Sequence, residues 1–220
     1  MSTTDAQGKP QPHEQTSTVI TVADSLQLQR GRQMLVNGLS FSLSPGVHWV
    51  KGDEQTGKTT LLRSLSGEWL PASGRITTLG VRSDTDPAAY RRLSACTETE
   101  PLPDDQTPVS AWLAQQAAMY PEFRQDWFAD WAEALDLARH LHKPFYMLSA
   151  GSRRKAFVCA ALASGAPLTL LDQPFVALDR ASVRDLCEIL NELAALNDRA
   201  IVIADYEAPP EVALVQVIEL

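Results

Sequence analysis

The run Gly52-Asp53-Glu54-Gln55-Thr56-Gly57-Lys58-Thr59 fits G-x-x-x-x-G-K-[ST] and narrows the choice of fold more than any other stretch of the chain. Val47–Lys51 (VHWVK) reads as a strand before it. Leu61, Leu62 and Leu65 after it have the spacing of a buried helix face. Gly52 and Gly57 permit backbone angles and close approaches that a Cβ would block. Successive N–H groups then point into one concavity, backed by the positive end of the helix. Such a loop cradles nucleotide phosphates. Lys58 reaches the terminal phosphates, Thr59 offers a hydroxyl oxygen to Mg²⁺, and Thr60 completes the binding segment. Asp53 and Glu54 bring negative charge near this site, and Gln55 stands where a glycine is common.

The chain's 220 residues suit one domain of ordinary size with a full core, divided at most into two lobes. Apolar residues at 45% and charged residues at 21% are globular proportions. A net charge of -8 repels nucleic acid and anionic lipid, which excludes DNA as a main partner. Cys96, Cys159 and Cys187 are too few for a disulfide framework and lack metal-ligand spacing, so they read as reduced thiols. No apolar run reaches the roughly 20 residues of a membrane helix, so no direct membrane insertion is expected. Residues 1–16 are polar and read as a disordered tail.

Thr18–Val22 and Leu26–Arg30 read as two short strands, and Leu39–Leu43 as another before the Ser44–Pro45–Gly46 turn. Residues 105–147 read as a helical subdomain, with Trp127, Trp131 and Leu135 at i, i+4, i+8. Its aromatic residues Phe123, Trp127, Phe128 and Trp131 are expected in the core rather than at a contact surface. A helix is expected from Ala150 to Ser164, stopped by Gly165 and Pro167. Asp179 is a candidate N-cap for a helix burying Val183, Leu186, Leu190 and Leu193. Leu168–Leu171 and Ile201–Ala204 are continuous apolar runs, as strands covered on both faces require. Val212–Leu220 reads as an edge strand. The alternation argues a mainly parallel α/β sheet.

Several segments, in order, resemble the ATP-binding cassette (ABC) family. Ser40–Val50 followed by Gly52–Leu62 is similar to the opening of a cassette. Leu148-Ser149-Ala150-Gly151-Ser152-Arg153-Arg154-Lys155 resembles the LSGGQ signature and its helix. Leu168–Leu171 with Asp172 resembles the Walker B strand, and Ala177-Leu178-Asp179 the D-loop. The interval of 23 positions from Ser149 to Asp172 suits a cassette without inserted gaps. The resemblance implies an α/β P-loop NTPase with a mainly parallel core sheet, an N-terminal antiparallel β subdomain and an inserted helical subdomain. It also implies an ATP-binding subunit of an ABC transporter, working with a membrane permease at the inner face of the cell membrane. Two cassettes would pair head to tail, each ATP lying between one phosphate loop and the partner cassette's signature. Ser149, Gly151 and Ser152 would meet the γ-phosphate in trans, Asp179 would add a D-loop contact, and Thr59 with Asp172 would hold Mg²⁺. Arg153, Arg154 and Lys155 either form a solvated helix face or serve the nucleotide. Met119-Tyr120-Pro121-Glu122-Phe123 and the stretch up to the signature resemble small exporter-type cassettes, and the Leu-Ser-Ala-Gly signature with the short length is similar to the haem-exporter cassette of cytochrome c maturation.

Three positions depart from the family pattern. Gln173 follows Asp172 where Glu, the general base, is usual; an amide can orient a water but cannot take its proton. Asp205, 26 positions beyond Asp179, takes the place usually held by a switch histidine. Thr97 or Glu98 falls where a glutamine normally links Mg²⁺ to the transporter interface. Slow or absent hydrolysis with retained ATP binding is therefore expected. A non-transport regulatory or interaction protein clamped by ATP and a catalytically weak half of a heterodimeric cassette pair are the competing readings.

Overall fold

The computed structural model describes residues 18–97 and 102–220. The polar stretch 1–16 and Glu98 lie outside the described residues. Two sheets organise the chain. The first is antiparallel, in the order β2-β1-β4-β5, from β1 (Thr21–Arg30), β2 (Gln33–Leu43), β4 (Ser73–Thr78) and β5 (Val81–Arg82). The stretches expected as two strands before Gly31 are one. Ser25 at φ 52° interrupts the register between Ala23 and Leu26, and its N–H donates to Ser40 Oγ at 2.8 Å. The extra residue bends β1 without ending its pairing, because a bulge leaves the flanking ladder intact.

The second sheet is parallel, in the order β6-β7-β8-β3-β9. It comprises β3 (Gly46–Lys51), β6 (Ser94–Cys96), β7 (Leu168–Asp172), β8 (Ala200–Asp205) and β9 (Leu214–Glu219). Successive side chains of β7 and β8 alternate between two cores. Leu168, Leu170 and Val202 join Leu61, Leu62 and Leu65 of α1 (Lys58–Leu65) and Leu26 and Leu28 of β1, between the sheets. Leu171, Ile201 and Ile203 face the other way, onto α5 (Ala150–Ala163) and α6 (Arg180–Ala195). Burial on both faces is why these strands are apolar without alternation. β9 is the edge strand expected from Val212–Leu220.

The short α2 (Pro87–Arg92) starts on Asp86, which accepts the Ala89 N–H. Residues 109–147 supply α3 (Val109–Met119), α4 (Gln125–Ala134) and single 3₁₀ turns at Ala138–His140 and Phe145–Met147. The aromatic stripe of α4 divides. Phe128 is buried, whereas Trp127 and Trp131 are half-buried and face a groove beside α6. His48 is wholly buried, its Nε2 2.8 Å from Ser44 O, and burial lowers its pKa.

Candidate nucleotide-binding site

The phosphate loop leaves the carboxyl end of β3 and enters α1. Gly57 caps that helix at φ 107°, a conformation an L side chain rarely adopts. A Cβ on Gly52 would overlap Thr56 Oγ1, the hydroxyl that donates to Asp53 O at 3.0 Å. Lys58 is buried, and its Nζ donates to Gly52 O at 2.5 Å and Asp53 O at 2.7 Å. Asp53 and Glu54 are exposed and do not line the cavity at this loop; Gln55 does. That cavity, of about 190 Å³, takes its walls from Gly57, Lys58, Thr59, Thr60, Gln173 and Tyr206. Its outer edge is Arg30, Gln33 and Leu35 from β1 and β2, which offer no aromatic ring.

At the end of β7, Thr59 Oγ1 donates to Asp172 Oδ2 at 2.6 Å. Asp172 is 6% exposed, and its Oδ1 has no hydrogen-bond partner. Burial raises the pKa of this carboxyl, against the Thr59 hydroxyl and the charges of Arg154, Lys58 and Arg63. An orphaned buried carboxylate oxygen beside a hydroxyl is a donor set that suits a hard cation. Among the described residues no three His, Cys, Asp or Glu cluster to hold a metal. Mg²⁺ would need phosphate and water oxygens in addition. The main chain here is pinned from several directions. Thr97 Oγ1 accepts the Asp172 N–H at 3.1 Å, and Arg154 Nη1 donates to Asp172 O at 2.9 Å and Gln173 O at 3.1 Å. Gln173 sits at φ 46° with its N–H on Ala204 O at 2.8 Å.

The structure puts Tyr206, rather than Asp205, against the phosphate loop. The Tyr206 ring centroid lies 4.0 Å from Lys58 Nζ, within cation–π range. Asp205 Oδ1 turns back to accept the Tyr206 N–H at 2.8 Å, and Asp205 is not among the lining residues. Asp205 stands one residue before the side chain that lines the cavity. The available signal was an aromatic directly after a strand that is apolar up to its terminal Asp205. Burial raises the Asp205 carboxyl above its usual 3.8, opposed by the Tyr206 N–H, assisted by the negative Asp172, and opposed again by Lys58 and Arg154. A raised folded-state pKa means that Asp205 contributes stability below the usual value and loses it as pH rises through the raised one. Asp205→Asn should therefore raise the melting temperature at pH 7, with the gain shrinking towards zero as the pH falls to 3.8. A gain that persists unchanged at low pH would contradict that account.

The signature residues occupy a second cavity of about 270 Å³, which shares no lining residue with the first. Ser149 caps α5, its Oγ accepting the Ser152 N–H at 3.1 Å. A Cβ on Gly151 would come 2.5 Å from Ala177 O, so glycine is what lets the segment before α6 pass this close. Asp179 caps α6, accepting the Ser182 N–H at 2.9 Å, and that bond holds its carboxyl below the usual range. Arg153, Arg154 and Lys155 are each tied to another segment, and Lys155 also lines the signature cavity. Arg153 pairs with Asp105 at 2.8 Å, Arg154 holds the end of β7, and buried Lys155 donates to Leu135 O at 2.8 Å. One chain therefore does not bring Ser149, Gly151, Ser152 and Asp179 to Lys58 and Thr59.

A parallel sheet whose β3 leads through a glycine-bounded loop into α1, with an aspartate closing β7 beside it, defines a P-loop nucleotide-binding protein. A family model described as ABC transporter matches residues 36–176. The cytochrome c biogenesis ATP-binding export protein CcmA of Pseudomonas aeruginosa is 33% identical over 164 residues, covering 74% of this chain and 81% of that protein. The protein of the same name from Rhodospirillum rubrum is 36% identical over 175 residues, covering 78% and 73%. A putative ABC transporter ATP-binding protein from Pyrococcus furiosus shares the fold at TM-score 0.74 and 21% identity, covering 91% of this chain and 96% of its own. The chain belongs to the ABC transporter family, as an ATP-binding subunit. No helix among the described residues is long and apolar enough to cross a membrane.

Proposed function

We propose that this subunit closes on Mg-ATP as half of a head-to-tail cassette pair and turns that closure into movement of a membrane permease, with hydrolysis slow or absent. It would work in the cytoplasm, held to the inner face of the cell membrane by the permease. The naming of its relatives as export proteins supports that direction of transport. Gly52–Thr60 would bind the phosphates, with Lys58 released from Gly52 O and Asp53 O to meet the terminal ones. Thr59 and Asp172 would hold Mg²⁺, which neutralises charge on the phosphates when bound. Ser149, Gly151, Ser152 and Asp179 would complete the partner cassette's site. Their separate cavity in this chain supports pairing. Gln173 and Tyr206, which line the cavity at the phosphate loop, bring an amide and a phenol where a carboxylate and an imidazole would serve as proton acceptors. That pair of side chains carries the slow-hydrolysis reading.

The test is steady-state phosphate release by the subunit with its permease in saturating Mg-ATP. Turnover below about 0.1 per second is expected, and about 1 per second or more, the ordinary enzyme range, would overturn it. Lys58→Ala should weaken ATP binding about 30-fold or more, since losing a buried charge partner costs about 2 kcal/mol or more. Calorimetric titration with ATP gives the answer, and an unchanged affinity would remove Lys58 from the site.

A further inference from the structure

A cavity of about 670 Å³ lies between α4 and α6 and belongs to neither the phosphate-loop nor the signature site. Its floor is Ile189 and Leu193, both buried. Its walls include Trp127 and Trp131, with ring centroids 5.5 Å apart, and Leu196 is 51% exposed at one end. Four carboxylates rim it: Asp130 from α4 and Asp185, Glu188 and Glu192 from α6. None of the lining residues is cationic. The cations nearby are already engaged. Arg184 pairs with Asp185 at 2.9 Å and Glu188 at 3.9 Å. Arg124 and Arg199 lie 4.1 and 5.6 Å from the Trp127 ring and pair with Asp126 and Asp198.

Asp185, Glu188 and Glu192 recur at helical spacing along one face of α6; Arg184 offsets part of the charge of the first two, and the rim as a whole stays acidic. Half-exposed indoles beside buried aliphatic side chains are the usual anchors of a recognition groove. The charge pattern also selects the occupant. The outer carboxylates of α6, Asp185 and Glu192, are seven positions apart, about 10 Å at 1.5 Å rise per residue, too far apart for one ammonium group to meet. Cations repeating along an element of similar length would meet them all.

We infer that the α4–α6 groove docks a basic amphipathic helix of a partner protein. Apolar side chains at i, i+3 and i+4 enter between the indoles, Ile189 and Leu193, and flanking Lys or Arg residues meet the four carboxylates. Electrostatic complementarity sets its orientation and makes the contact sensitive to salt. This face is distinct from the edges that a head-to-tail cassette pair would use, so the groove stays available in the paired state.

The test uses the full chain and two synthetic 18-residue amphipathic helices, one of leucine and lysine and the other of leucine and glutamate. Glu188→Lys/Glu192→Lys reverses the rim; Asp24→Lys/Glu219→Lys makes the same change of net charge on the two sheets. Binding is measured by calorimetry at low and high salt. The native chain and the sheet variant should bind the lysine peptide alike, the rim variant at least tenfold more weakly, and the rim variant should take the glutamate peptide instead. Trp131→Ala should also weaken the lysine peptide. Equal weakening by both charge variants, no binding by the native chain, or indifference to Trp131→Ala would each overturn the assignment. So would competition by millimolar tetramethylammonium, which would show that the groove takes a lone organic cation.

Discussion

Gln173→Glu should raise ATP turnover by about 10²–10⁴-fold, the range of a general-base contribution. The backbone at this position is held whatever the side chain is. The Gln173 N–H donates to Ala204 O at 2.8 Å, and its carbonyl accepts from Arg154 at 3.1 Å. Glu would carry the same left-handed φ at similar cost, so the substitution changes chemistry while leaving position alone. Adding Tyr206→His should increase turnover further, because an imidazole in the place of the phenol can hold or pass a proton near neutral pH. Phosphate release at saturating Mg-ATP measures both variants. If ATP binding is intact and neither variant turns over faster than the native chain, the slow step lies elsewhere and the reading of Gln173 is wrong.

The second large effect concerns the support of the signature helix. Phe145 is 1% exposed, stacks on Phe157 of α5 at 5.4 Å and 12°, and meets the edge of Trp112 at 5.5 Å and 86°. Arg153, four residues after the cap Ser149, lies 5.3 Å from the same ring. Phe145→Ala should cost about 3–5 kcal/mol through lost burial and the cavity left behind. In a domain of this size that lowers the melting temperature by roughly 10 °C. Phe145→Leu should recover much of the loss, since most of the volume returns. A loss under about 1 kcal/mol in thermal or urea unfolding would show that the ring is not the link between α3 and the signature helix.

Much of the architecture was legible because it is encoded locally. The glycines and Gly-Lys-Thr of residues 52–59 require one particular turn between a strand and a helix, and the structure has it. Ser149 and Asp179 announce helix starts by the same hydroxyl and carboxylate chemistry with which they cap α5 and α6. The apolar runs of β7 and β8 signal burial on both faces, and both faces are covered. Each depends on residues within a few positions of one another.

What only the tertiary structure decided depends on partners far apart in the chain. Arg154 reads as a surface cation until β7 brings the carbonyls of Asp172 and Gln173 to it, and Lys155 until Leu135 O does. The α4 stripe reads as core, yet packing against α5 and α6 leaves Phe128 covered and Trp127 and Trp131 lining an acidic groove. The substitution of Gln173 was visible in the order of residues alone. Whether residue 205 or 206 faces it was not, because that depends on how β8 ends beside β3 and on which side chain the turn then directs to Lys58. Sequence spacing counts residues along one chain; the site is set by distances between strands.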